Sequence, residues 1–198
     1  EDAVVTQEQL GADIQMALDV CPPLPSPQKT IVEAMNRTHD WAARAKSVHS
    51  KADQALFGIV QGGIDPVLRT QSAKHLSGLD FAGYGIGGLS VGESRQEMMP
   101  ALRAAISELP EDRPRYLMGV GDPARIVDAI GIGVDMFDCV LPTRLARHGT
   151  VLTSTGKLNL RNAKHATNDE PLDPGNPMSN SFSRAYLRHL MQVKEPTA

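Results

Sequence analysis

"ALFGIVQGGIDPVLRTQSAKHL", residues 55–76, holds one complete structural repeat. Residues 55–60 form a short apolar run of the kind that makes a strand buried on both faces. "QGG" breaks the run, and a helical pattern follows from Pro66 to about Leu76. The same order recurs on either side. "ADIQMALD" (12–19) reads as a strand ending on Asp19. After a Pro-rich stretch at 22–27, residues 28–50 read as a helix, with Ile31, Ala34, Met35, Ala42 and Ala45 near helical spacing. "FAGYGIGGL" (81–89) is a glycine-rich strand followed by a helix over about 94–108. "RYLMGV" (115–120) is a strand, and "GDPARIVDAIGIG" opens a helix with Asp122 at its cap and Pro123 in its first turn. "VDMFDCV" (134–140) is the last strand of the series.

Five strand-then-helix units argue for an α/β fold with a parallel sheet and helical crossovers. The special residues gather at the carboxyl ends of the strands: Asp19, Gln61 to Gly63, Gly87 and Gly88, Gly119 and Gly121, and Asp138. On a barrel those ends converge on one rim, where active sites sit. On an open sheet they spread along an edge and meet only at a switch point. Five units are too few for an eight-stranded barrel. Either the sheet is small and open, or about three units are missing from its front. After residue 148 the pattern changes. "TVLTSTGKLNL" (150–160) reads as a hairpin, residues 161–181 as polar loop, and 183–193 as a short helix. The domains expected are therefore 1–149, the α/β body, and 150–198, an appendage.

Bulk composition narrows the function classes. The chain has 198 residues, 41% hydrophobic and 22% charged, with net charge −3. A nucleic-acid partner would have to be met by a local patch rather than by the whole molecule. Cys21 and Cys139 are the two cysteines, too far apart for a Cys-x-x-Cys pair, and they suit a reducing, cytoplasmic setting. No apolar run approaches the roughly 18 residues of a membrane span, so no membrane partner is expected. No signal peptide is read at the start, and both ends read as truncations.

Three features carry chemistry. From Cys139 to Asn168 there is no acidic residue, while Arg144, Arg147, Lys157, Arg161 and Lys164 stand there with His148 and His165. That stretch is either a solvated loop or a phosphate-contacting platform. The glycines at the strand ends are either tight turns or places where a flat ligand meets the backbone. None forms a Walker or G-x-G-x-x-G pattern, so a planar heterocycle fits better than a nucleotide phosphate, with the Gln61 amide adding donors and an acceptor. Asp19 and Asp138 are either helix caps or working acids. A carboxylate in such a place can receive the N–H edge of a base, or attack an anomeric carbon as in retaining glycosidases.

Six stretches carry a family resemblance: "FGIVQGG" (57–63), "YGIGGLSVGE" (84–93), "RYLMGVGDP" (115–123), "GVDMFDCVLPTRLARHG" (133–149), "LNLRNAKH" (158–165) and "SRAYLRHL" (183–190). Together they resemble the queuine/archaeosine tRNA-ribosyltransferases, the tRNA-guanine transglycosylase family. The resemblance implies a TIM-type (β/α)8 barrel, present here without its first strands. It implies exchange of guanine at the tRNA wobble position for a 7-deazaguanine, preQ1 in bacteria, as a step of queuosine biosynthesis. Asp138 matches the nucleophile that forms a covalent bond to ribose. Asp19, Gln61, Gly87 and Gly88 match positions that hold the base, and Cys21, Leu89 and Met118 match positions lining its pocket. Gly119, Val120, Gly121, Asp122, Pro123, Ala124 and Arg125 match one tRNA-contacting segment; Thr143, Arg144, Leu145, Ala146 and Arg147 match another. A homodimer is expected by the same likeness.

Departures are equally specific. The D-S-G-G segment that bears the family's proton-transfer Asp has no counterpart in the chain. The family's zinc site follows a P-L-D-P-x-C-x-C-x-x-C pattern, where this chain reads "PLDPGNPMSNSFSRAY". Asn176, Met178 and Ser181 are poor replacements for thiolates, so neither a metal nor any other cofactor is expected. Two further readings stay open: a non-catalytic fragment or split subunit that binds base and tRNA only, and, ignoring the resemblance, a heterocycle- or phosphosugar-binding barrel enzyme without RNA.

Overall fold

In the computed structural model, which describes residues 1–196, the apolar runs form one parallel sheet. Its strands are β1 (Ile14–Met16), β2 (Ala55–Val60), β3 (Gly83–Ile86), β4 (Arg115–Leu117) and β5 (Met136–Phe137). They lie side by side in chain order, each pair parallel. A doubly wound sheet reverses its strand order at a switch point; this one never reverses. The sheet curls as half a barrel. Helix α1 (Asp2–Leu10) precedes β1, and α2 (Gln28–Val48), α3 (Pro66–Ser77), α4 (Arg95–Ile106) and α5 (Pro123–Ile130) follow β1 to β4 in turn.

Period-two alternation decides what each face holds. On one face Leu56, Val60, Tyr84, Ile86 and Leu117 join a single buried core with Ala42 and Ala45 of α2, Leu76 of α3, Leu102 of α4 and Ala129 of α5. All four crossover helices thus cover the same face. The opposite face carries Met16, Phe57, Ile59 and Met118 around Gly83 and Gly85. A Cβ on Gly83 would lie 2.3 Å from the Phe57 ring, and one on Gly85 would lie 2.8 Å from the Met16 methyl and 3.2 Å from the Met118 sulfur. The α2 helix buries Ile31, Ala34, Met35, Thr38, His39, Ala42 and Ala45 along one stripe. Asp65 caps α3, accepting from Val67 N at 2.8 Å, and Ser94 with Glu97 forms a capping box on α4.

The chain divides at Cys139/Val140 into two compact units. The second contains α6 (Leu141–Arg147), the antiparallel hairpin β6 (Thr150–Thr153) and β7 (Gly156–Asn159), 3-10 turns at Ala163–His165 and Pro177–Ser179, and α7 (Arg184–Gln192). Arg184 ties its loop, donating to Glu170 Oε2 and to Pro171 O, each at 2.9 Å.

Observed strands are shorter than the sequence runs. β3 stops at Ile86 and β4 at Leu117 because Gly88 (φ 65°) and Gly119 (φ 73°) turn the chain. Two helices were not anticipated. In α1 only Val4 and Glu8 are buried, too little for a visible stripe, and α6 has seven residues and no buried one. With α6 helical and packed on β6, the second unit begins ten residues before the 149/150 boundary expected from pattern.

Candidate active site

Alternation on β4 and β5 builds the reactive end of the site. Leu117 and Phe137 face the helices, so Tyr116, Met118 and Asp138 face the other way. Tyr116 lies one strand from Asp138, and its hydroxyl donates to Asp138 Oδ1 at 2.7 Å. Gly119 N donates to the same oxygen, also at 2.7 Å. The left-handed turn at Gly119 directs that N–H, and a side chain there would strain it. Partial burial and the hydrogen bond to Asp138 push the Tyr116 phenol up to about 12, so it remains a donor at neutral pH. Oδ1 is therefore held by two donors, while Oδ2 takes none among the described residues.

Across a cavity of about 320 Å³ lies the second acid. Asp138, Tyr116, Met118 and Gly119 line it together with Asp19, Cys21, Gly87, Gly88, Leu89, Ser90 and Val91. Gln61 lies behind this wall, only 1% exposed, and its Nε2 donates to Asp19 Oδ2 at 2.6 Å. An amide nitrogen carries two N–H groups, so one is spent on Asp19. The Gln61 Oε1 has no hydrogen-bond partner among the described residues. It presses on Gly88, where a Cβ would come within 2.3 Å. Desolvation of its sulfur and then the Asp19 charge raise the Cys21 thiol, which argues against a thiolate nucleophile there. The Glu93 carboxylate accepts from Ser90 N and Val91 N and so shapes that stretch of the lining.

The structure gathers Asp19, Cys21, Gly87, Gly88, Leu89, Met118, Gly119 and Asp138 around one cavity, with Gln61 behind it. The rest of the 119–125 segment has mixed duties. Val120 is buried, Gly121 is half-buried, Asp122 caps α5 by accepting from Arg125 N at 3.2 Å, and Pro123 and Ala124 are exposed. Arg125 reaches Ser90 Oγ at 3.5 Å. In the second unit, α6 exposes Thr143, Arg144, Ala146 and Arg147, with Leu145 half-buried. Residues 140–198 hold eight Lys/Arg against four Asp/Glu, whereas residues 1–139 hold twelve against nineteen. Positive charge is thus a property of the second unit.

Sequence reasoning missed Tyr116 and Arg69. The one available signal for Tyr116 was its place two residues before Met118 on the same strand. Arg69 stood in a helix among Leu68, Ser72, Ala73 and Leu76, all buried positions, where a charge is out of keeping.

The donor set in the second unit does not fit a zinc ion. Asn176 Oδ1 accepts from Met178 N, and Met178 is 90% exposed. Asp173 is occupied by Ser154, whose N and Oγ donate to it at 2.8 and 2.7 Å. Among the described residues no group of three or more His, Cys, Asp or Glu could hold a metal. No described helix is long and apolar enough to cross a membrane.

Comparison with known proteins gives a consistent picture. The family model described as Queuine tRNA-ribosyltransferase matches residues 1–198. A queuine tRNA-ribosyltransferase of Desulforamulus reducens is 51% identical over 197 residues, covering 98% of this chain and 53% of that protein. Its counterpart in Halothermothrix orenii is also 51% identical over 197 residues, with the same shares. That of Lactococcus lactis is 50% identical over 198 residues, covering 98% of this chain and 52% of the relative. The chain spans about half the length of the curated relatives it matches.

Proposed function

The chain belongs to the queuine tRNA-ribosyltransferase family, and from that premise we propose that it carries the base pocket and the nucleophile of a tRNA-guanine transglycosylase. The observation that carries this reading is Asp138, anchored through Oδ1 and open at Oδ2, facing Asp19 across one cavity. Guanine at the tRNA wobble position enters that cavity. Asp19 accepts from the base's N–H edge, and Gln61 and the Gly87–Gly88 backbone hold the base. Asp138 Oδ2 attacks C1′ of the ribose, the C1′–N9 bond breaks, and its electron pair leaves with the base. An ester joins Asp138 to the tRNA. A 7-deazaguanine, preQ1, then takes the vacated pocket, and its ring nitrogen displaces Asp138 with loss of a proton.

The cationic α6 and the 119–125 segment contact the RNA backbone on this account. The five strands are part of an incomplete TIM-type barrel, and the working enzyme is a cytoplasmic homodimer in queuosine biosynthesis. A narrower reading starts from the chain's span of about half the length of its relatives. In it, the chain alone binds base and tRNA, and turnover needs the remaining half of the barrel.

Radiolabelled guanine exchange into substrate tRNA tests the proposal. Exchange that is abolished by Asp138→Asn supports it, and exchange that survives the substitution sinks the nucleophile assignment. Salt-dependent tRNA binding without exchange selects the narrower reading.

A further inference from the structure

One cation is sealed inside the first unit. Arg69, on α3, is 0% exposed. Its guanidinium donates Nε to Gly63 O at 2.7 Å, Nη1 to Val60 O at 3.1 Å and Gly87 O at 2.7 Å, and Nη2 to Gly88 O at 3.0 Å. No carboxylate forms an ion pair with it among the described residues. A buried, unpaired guanidinium is costly. Helix packing alone would be served by a leucine or methionine at this position. All four acceptors belong to the end of β2 and the turns after β2 and β3, the backbone that frames the base side of the cavity.

Peptide geometry shows what these bonds do. In a trans peptide the carbonyl and the following N–H point in opposite directions. With the Gly87 and Gly88 carbonyls drawn onto Arg69, the N–H groups of Gly88 and Leu89 are turned the other way. Both residues line the cavity. A planar base carrying a carbonyl oxygen would meet these donors.

We propose that Arg69 is a positioning residue for the base, turning the Gly87 and Gly88 carbonyls away from the cavity so that two backbone N–H donors face a purine carbonyl oxygen. This rests on the base-exchange reading above. When Asp138 Oδ2 forms its bond to C1′, the C1′–N9 pair passes to the departing base, which carries the negative charge until water supplies a proton. Part of that charge reaches the exocyclic carbonyl oxygen of the purine, so donors fixed there favour the transition state over the ground state.

The test uses the whole chain, wild type and with Arg69→Met or Arg69→Lys. Binding of guanine and of 2-aminopurine, which lacks the carbonyl oxygen, is measured by calorimetry, beside guanine exchange into tRNA. The wild type should prefer guanine. Arg69→Met should reduce that preference about tenfold, the value of roughly one hydrogen bond. Arg69→Lys, keeping the charge and part of the bonding, should recover part of it. Equal weakening of both bases, or an unchanged preference, overturns the proposal. If Arg69→Met does not fold, Arg69→Lys decides: a reduced preference supports the role and a wild-type preference overturns it. A wild-type chain that neither binds nor exchanges guanine overturns the exchange reading itself, and this inference with it.

Discussion

On the proposed mechanism Asp138 can serve as nucleophile because its two oxygens are unlike. Oδ1 is pinned by Tyr116 and Gly119 N, each at 2.7 Å, which fixes the carboxylate plane and leaves Oδ2 for attack. Removing one of the two pins should loosen the nucleophile without emptying the pocket. Tyr116→Phe is expected to lower kcat for guanine exchange about tenfold, with KM for the base little changed, since a hydrogen bond to a charged group is worth about 1.5–3 kcal/mol and Gly119 N remains. Steady-state kinetics check this; an unchanged kcat would remove Tyr116 from the site. Asp19, Gln61, Gly88 and Asp138 were legible in the sequence because chemistry gathers at strand ends and these residues end strands. Tyr116 and Arg69 were not, because their roles depend on which partner lies across space. Tyr116 finds Asp138 from a neighbouring strand, and Arg69 finds the turns of two strands from a helix.

At the scale of elements, the contact of α2 with α3 sits directly behind Gln61. His39 Nε2 is 2.9 Å from Ser72 Oγ, the same oxygen that accepts from Gln61 N at 3.1 Å, and the His39 ring stacks on His75 with centroids 4.3 Å apart. Burial, and then His75, lower His39 from 6.5 to about 4. The folded state therefore keeps this ring neutral where the unfolded chain would protonate it. Its contribution to stability is complete above about pH 6.5 and is lost as pH falls from there to about 4, on the order of 3 kcal/mol in all. Denaturant melts across that range should show the loss, and His39→Gln should flatten that part of the profile. A wild-type profile level between these limits would contradict the assignment. The five strands and the four crossover helices were readable from periodicity alone, since buried parallel strands and long amphipathic helices leave strong patterns. Helices α1 and α6 bury almost nothing and left none.

For the whole molecule, the sheet order and the charge distribution point to one division of labour. Strands in unreversed chain order place their carboxyl ends along a single rim. The unit that follows supplies positive charge, with α6 exposing Arg144 and Arg147. If these residues meet tRNA phosphates, Arg144→Ala and Arg147→Ala should each weaken binding at low salt and each reduce the slope of log K against log[salt] by about 1. Titrations at several salt concentrations check this, and unchanged slopes would move the RNA elsewhere. The sequence showed the acid-free run behind Asp138 but not its helical form. Nor could it show that Asn176 accepts from Met178 N, that Asp173 accepts from Ser154 N of the hairpin and that Asp173 N donates to Ser179.

The central claim is a covalent bond between Asp138 and tRNA, and trapping that bond tests it most directly. The protein is incubated with substrate tRNA and a base, denatured, digested with nuclease and protease, and analysed by mass spectrometry. A ribose-linked adduct on the peptide containing Asp138, lost in Asp138→Asn, is the predicted result. Guanine exchange with no adduct, or with an adduct on any other residue, would contradict the account.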